Sequence, residues 1–204
     1  MAKAHPTTPI PPVAILHGPE RFLQLALTDE IKRAIAARHG PTDPVVIDGA
    51  SAVACDVLDE CRSLSLMQPF KLVIVENADQ LVKAADDDPH AASAAMFTKR
   101  GHSARTAREM FQDYAKKPEP AACLVLRAPT WKPGNLDKAV LGSLGIIHKC
   151  EELSLAQAAH WALRRATDHH KAALEPAAAQ RLVDTVGPDL GRLDNELAKL
   201  AMVA

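Results

Sequence analysis

An α/β fold is predicted, with a parallel sheet followed by a small three-helix domain, and three observations predict it. Five short apolar, β-branched runs are separated by stretches of helical periodicity, the pattern of βαβ units. After Glu151 the apolar runs stop and three helical patterns follow one another. Aromatic residues make up only 3% of an alanine-rich chain, which suits helices on a small sheet and argues against a sheet of stacking aromatics for single-stranded nucleic acid.

The opening "MAKAHPTTPIPP", residues 1–12, is rich in proline and threonine without periodicity and is expected to be a disordered leader outside the fold. "VAIL" (13–16) reads as the first strand. Leu23, Leu27, Ile31 and Ala34 then recur at helical spacing, and Gly40 and Pro41 stop that crossover helix. After the second run, "PVVID" (44–48), Ser51 is expected to cap a helix whose apolar stripe is Val53, Val57, Leu58, Cys61 and Leu64. The third run is "KLVIV" (71–75). Residues 86–108 carry an acidic run and then Lys99, Arg100, Arg105 and Arg108 with no interleaved aromatics, so they read as a mobile solvated connection in preference to a nucleic-acid contact.

Pro118 and Pro120 lead into "ACLVL" (122–126), and "GIIHK" (145–149) closes the set. In the helical part, Leu155, Ala159, Ala162, Leu163 and Ala166 make one face. Pro176 stands where its fixed φ favours a helix start, and Leu190, Leu193, Leu197 and Leu200 form an apolar seam. The expected domains are therefore 13–150 and 151–204.

With 24 basic and 25 acidic residues, no global field favours nucleic acid or an anionic membrane. Cys55, Cys61, Cys123 and Cys150 form no C-x-x-C pair and follow no secretory leader, so neither a zinc ribbon nor a disulfide framework is indicated. Reduced, mostly buried thiols in a soluble, cytoplasmic protein are expected. No apolar run approaches the ~20 residues that cross a bilayer.

"VAILHGPERFL" has the outline of a phosphate-binding loop, a strand followed by glycine and a helix. Such a loop needs converging backbone N–H groups, a lysine on the phosphates and a hydroxyl on the metal. Here Gly18 is followed by Pro19, which has no N–H, by Glu20, which places negative charge where phosphate would sit, and by Arg21. The lysine and the hydroxyl are missing. The other half of an NTPase site, an Asp-Glu pair after the third strand, is replaced by Glu76 and Asn77, and an amide cannot take a proton from water. No catalytic residue, metal site or cofactor is expected. His169 and His170 are adjacent and point in different directions on a helix, so they read as an exposed pair and not as a metal site.

The stretch "CRSLSLMQPFKLVIVENAD" asks for more than core packing. Leu64 and Met67 share a helical face, while Leu66 points about 160° away from Leu64 at ~100° per residue. These residues and Phe70 fit either a buried cluster or an exposed Leu-Met anchor for an apolar pocket, and spacing leaves both open.

The order "ILHGPERFL", "SLSLMQPFKLVIVENADQL", "ACLVLRAP", "LSLAQAAHWALRRA" and "VGPDLGRLDNELAKLA" resembles the delta subunit of the bacterial DNA polymerase III clamp loader over residues 13–204. The resemblance implies an AAA+-like α/β domain with a degenerate phosphate loop, a helical lid and a collar domain beyond the end of this chain. It implies a DNA-replication subunit that binds and opens the beta sliding clamp with no ATP hydrolysis of its own. Its partners would be the clamp and the gamma/tau and delta-prime type subunits, with DNA reached only through the loader and no membrane. By position, Ser65, Leu66 and Met67 match the family's clamp-binding Ser-Leu-Phe, with Leu64 beside them and Met67 replacing the usual Phe. The alternatives are a regulatory nucleotide-binding protein with an atypical loop and a nucleic-acid module using residues 99–108.

Overall fold

The computed structural model describes residues 9–63, 69–87 and 105–203. By contacts the chain forms two compact units. One holds the described residues up to Gly18 together with Gln24–Lys149, and the other holds Pro19–Leu23 and the residues from Cys150 onward.

In the first unit, β1 (Val13–His17), β2 (Val45–Asp48), β3 (Lys71–Glu76), β4 (Ala122–Ala128) and β5 (Ile146–Lys149) form a parallel sheet in the order β2-β3-β4-β1-β5. The crossovers are α1 (Arg21–His39), α2 (Ala54–Arg62), α3 (Ala78–Asp87) with α4 (Ala107–Lys116), and α5 (Asn135–Gly142). The central strands β1, β3 and β4 are buried on both faces, which is why they read as unbroken apolar runs.

Strand parity sorts their side chains. Val13, Ile15, Val73, Val75, Leu124 and Leu126 meet α2, α3, α4 and α5 through Val57, Leu58, Leu81, Phe111, Leu136 and Val140. On the other face Ala14, Leu16, Leu72, Ile74, Cys123 and Val125 meet α1 through Ile31 and Ile35, with Phe70 at the margin. A fully buried leucine or isoleucine of this kind contributes roughly 2–3 kcal/mol.

Three expectations are corrected in this unit. Residues 9–12 do not behave as leader: the Pro12 carbonyl accepts from Leu124 N–H (3.0 Å), and Ile10 packs against the α1-face core. Proline can do this because it keeps its acceptor while lacking a donor. Helix α2 begins later than predicted, with Val53 as its N-cap, because Asp48 organises the preceding turn through a bond from Ala50 N–H (3.1 Å). Ser51 instead donates to the Asp48 carbonyl. The fourth strand runs two residues beyond its apolar stretch, to Ala128.

The second unit holds α6 (Leu155–Asp168), α7 (Pro176–Val186) and α8 (Leu190–Val203). Ser154 and Gln157 form a capping box at the start of α6. Pro176 opens α7 at its first turn. The face that α6 buries is alanine-rich, with Ala158, Ala159, Ala162 and Ala166, while Leu155 at its first turn is exposed, contrary to expectation. Leu190, Leu193 and Leu197 of α8 are buried as predicted, and Leu200 is exposed one turn beyond them. Phe22 and Leu23 pack into this helical core beside Ala158, Val183 and Leu190, which explains why Pro19–Leu23 groups here. Among the described residues no helix is long and apolar enough to cross a membrane.

Candidate functional site

Gly18 ends β1 at φ +130°, a conformation that disfavours a side chain. Its N–H donates to Ala128 O (3.0 Å), and its carbonyl accepts from the buried Gln24 side chain (2.7 Å), which also reaches Ala128 O (3.2 Å). Pro19 has no donor. Glu20 N–H donates to Cys150 O (3.1 Å), and Phe22 N–H donates to the Glu20 carboxylate (3.0 Å). The N–H groups of Gly18, Glu20 and Phe22 are thus engaged by the chain itself. At the first turn of α1 the position favoured for an anion is taken by a carboxylate of the protein. Burial, opposed by the Phe22 bond and reinforced by Asp189 and Glu152, holds the Glu20 carboxyl above its ordinary value.

The end of β3 is equally occupied. Glu76 is in contact with the guanidinium of Arg127 on β4. Asn77 adopts φ +50°, which asparagine tolerates, and donates its amide to Asp48 (3.0 Å). That bond, together with the Ala50 N–H, holds the Asp48 carboxyl below its usual range. Asp79, buried at the start of α3, accepts from Lys83 and from Thr130 at 3.0 Å each. Glu76, Asn77 and Asp79 each have a side-chain partner within the chain.

Leu64, Ser65, Leu66 and Met67 lie outside the described residues, but both flanks of that segment are described. Lys71, at the start of β3, reaches back to the end of α2, donating to the Glu60 carbonyl (3.1 Å), the Glu60 carboxylate (2.6 Å) and the Ser63 hydroxyl. Phe70 is buried and stacks on His39 with ring centres 4.5 Å apart. For Phe70, therefore, the core alternative holds.

Sequence reasoning missed a polar cluster in the helical unit. His170 is not an exposed residue: its Nε2 lies 2.7 Å from the Asp194 carboxylate, which also receives Arg165 through Nε (2.7 Å) and Nη2 (3.1 Å). Burial would raise the Asp194 carboxyl, but the Arg165 and His170 bonds outweigh it and the net shift is downward. Among the described residues, His169, His170 and Asp194 each bring one ligand atom within 4.8 Å of the others. Arg165 engages both oxygens of Asp194, so the cluster works as an ion-pair tie between α6 and α8. The adjacent histidines were the visible signal, but their partner lies 24 residues further along the chain.

Of the basic segment, Lys99 and Arg100 lie outside the described residues. Arg105 pairs with Asp113 (3.1 Å), and Arg108 donates to Lys132 O (2.8 Å) while lying over the Trp131 ring. Both are engaged by the fold. Cys61, Cys123 and Cys150 are buried and Cys55 is exposed. Burial pushes the Cys61 thiol up to about 12 and the Cys150 thiol up to about 11.

No protein-family model matches the chain, and no curated protein matches it. Among solved structures it is similar to the DNA clamp loader delta protein of Bacillus subtilis, with a TM-score of 0.68, 21% identity, and coverage of 94% of this chain and 53% of that one. Weaker similarity extends to the RuvB Holliday junction branch migration motor of Thermotoga maritima (TM-score 0.49, 14% identity, 90% and 52% covered). It extends also to a DNA polymerase III gamma subunit-related protein of the same organism (TM-score 0.47, 10% identity, 92% and 53% covered). The chain spans about half the length of each. Its fold is that of the delta protein, an AAA+-like parallel α/β domain with a helical companion.

Proposed function

We propose that this chain is the clamp-binding part of a delta-type subunit of the bacterial sliding-clamp loader, and that it opens the clamp without hydrolysing nucleotide. The observation that carries the reading is a shared delta fold over 94% of the chain, combined with a phosphate loop whose backbone donors are spent internally. The order of motifs along the sequence supports it.

The clamp contact falls on Ser65, Leu66 and Met67, with Leu64 beside them, in the sequence between α2 and β3. Leu66 and Met67 enter an apolar pocket on the clamp, where methionine's flexible thioether adapts to the space a phenylalanine ring would fill. Opening follows from differential binding: a subunit with higher affinity for the opened ring shifts the ring towards that state, and no chemistry in this chain is needed. ATP acts in the gamma/tau-type motor subunits, which together with a delta-prime-type subunit are the remaining partners. Residues 13–150 form the clamp-binding domain and residues 151–204 the lid, and a collar domain joins the assembly. The protein works in the cytoplasm at the nucleoid-associated replisome and meets DNA through the loader.

The test is clamp binding by titration calorimetry with the full chain and its L66S/M67S variant. The expected result is at least ~30-fold weaker binding, the size of a hot-spot loss of about 2 kcal/mol, with an unchanged thermal melt. Unchanged affinity overturns the reading. A large fall in melting temperature assigns the two residues to the core. Equilibrium dialysis with labelled ATP and Mg²⁺ tests the second half, since saturable micromolar binding would refute a closed phosphate loop.

A further inference from the structure

In open parallel sheets, ligands sit beyond the carboxyl ends of the central strands, and a nucleoside triphosphate brings a divalent cation to the carboxylate that ends one of them. The residues at this position do not fit such a group. The register that sets Val75 of β3 against Leu126 of β4 brings Glu76 and Arg127 side by side at the next step. Strand parity turns both towards the α1 face, with Leu72, Ile74, Cys123 and Val125. The Arg127 side chain is only 7% exposed, and its guanidinium is held against Glu76. Arginine does not lose its proton in a protein, so a fixed positive charge stands permanently at these strand ends. Its Nε is a buried donor without a hydrogen-bond partner among the described residues.

We propose that Arg127 is a resident cation. Its guanidinium supplies, from within the chain, the positive charge that a metal-phosphate ligand would bring to Glu76, and it excludes divalent cations from Glu76. This deepens the reading of a strand end without nucleotide chemistry. It does not depend on clamp docking.

The experiment uses the full chain, Mn²⁺ as the only probe and no clamp, so its failure is separable from failure of the clamp reading. Thermal melts are recorded with increasing MnCl2 for the wild type, Arg127→Met, and the double variant Glu76→Gln with Arg127→Met. The wild type is expected not to respond. Arg127→Met, which removes the guanidinium from beside Glu76, is expected to gain a saturable rise of about 3–5 °C at ten times the dissociation constant. The charge-neutral double variant is expected to lose that response. Where Arg127→Met refolds incompletely, the refolded fraction with and without Mn²⁺ replaces the melt, and the double variant serves as the folded control. A Glu76-dependent response in the wild type, or no Mn²⁺-dependent gain in Arg127→Met by either readout, overturns the proposal.

Discussion

Replacing Asp194 with asparagine keeps the side chain's shape and removes its charge. Asp194 joins α8 to α6 through two bonds from Arg165 and one contact with His170. Removing one member of a buried ion pair costs roughly 3–5 kcal/mol, most of it the penalty of a stranded charge. Two features reduce that figure here. The Arg165 and Asp194 side chains are 21% and 19% exposed, so water partly screens the pair. The guanidinium also keeps its positions over the Phe22 ring (5.3 Å) and the Trp161 ring (5.9 Å), interactions worth about 0.5–1 kcal/mol each at such a site. The expected cost is therefore about 2 kcal/mol at pH 7, measured as the change in urea unfolding free energy.

The pH dependence has a definite sign. The folded Asp194 carboxyl is held below its unfolded value, so its contribution is fully present above about pH 5 and is lost as pH falls through the folded value. The difference between wild type and Asp194→Asn should accordingly shrink below about pH 4. A double-mutant cycle with Arg165→Ala provides the control. Strictly additive effects, or a difference that persists unchanged at pH 3, would refute the ion-pair account.

Two further outcomes are expected. Gly49→Ala places a Cβ 2.8 Å from the backbone oxygens of both Glu76 and Asn77, where neither neighbour can yield cheaply. It should cost about 1–3 kcal/mol of urea unfolding free energy, and a neutral result would show that the turn after β2 has slack. An Ellman titration of the native chain should find one fast thiol, Cys55, since burial raises Cys61 and Cys150 to about 12 and about 11 and encloses Cys123. Several fast thiols without denaturant would contradict that packing.

The strands were readable because each central one is buried on both faces and so carries an uninterrupted apolar run. The same rule placed the end of β4 at Leu126, since an arginine interrupts the run. The strand continues because Glu76, 51 residues earlier, neutralises Arg127, and such a partner is invisible in a local window. Ser51 was a sound cap by residue type. Asp48 held the turn instead, and competition between nearby side chains for the same backbone groups is decided by geometry. Leu155 and Leu200 fit their helical stripes and still face water, because each stripe extends about one turn past the packed core. The departures of the loop after β1 from a phosphate-binding sequence were legible, whereas the hydrogen bonds that hold that loop join residues as far apart as Gly18 and Ala128.

The Lys71 ties at the foot of β3 also act as a clasp. They fasten the end of α2 to the start of β3, so one side chain holds together two elements whose connection passes outside the described residues. Losing that amine would take a donor from the Glu60 carbonyl, the Glu60 carboxylate and the Ser63 hydroxyl at once.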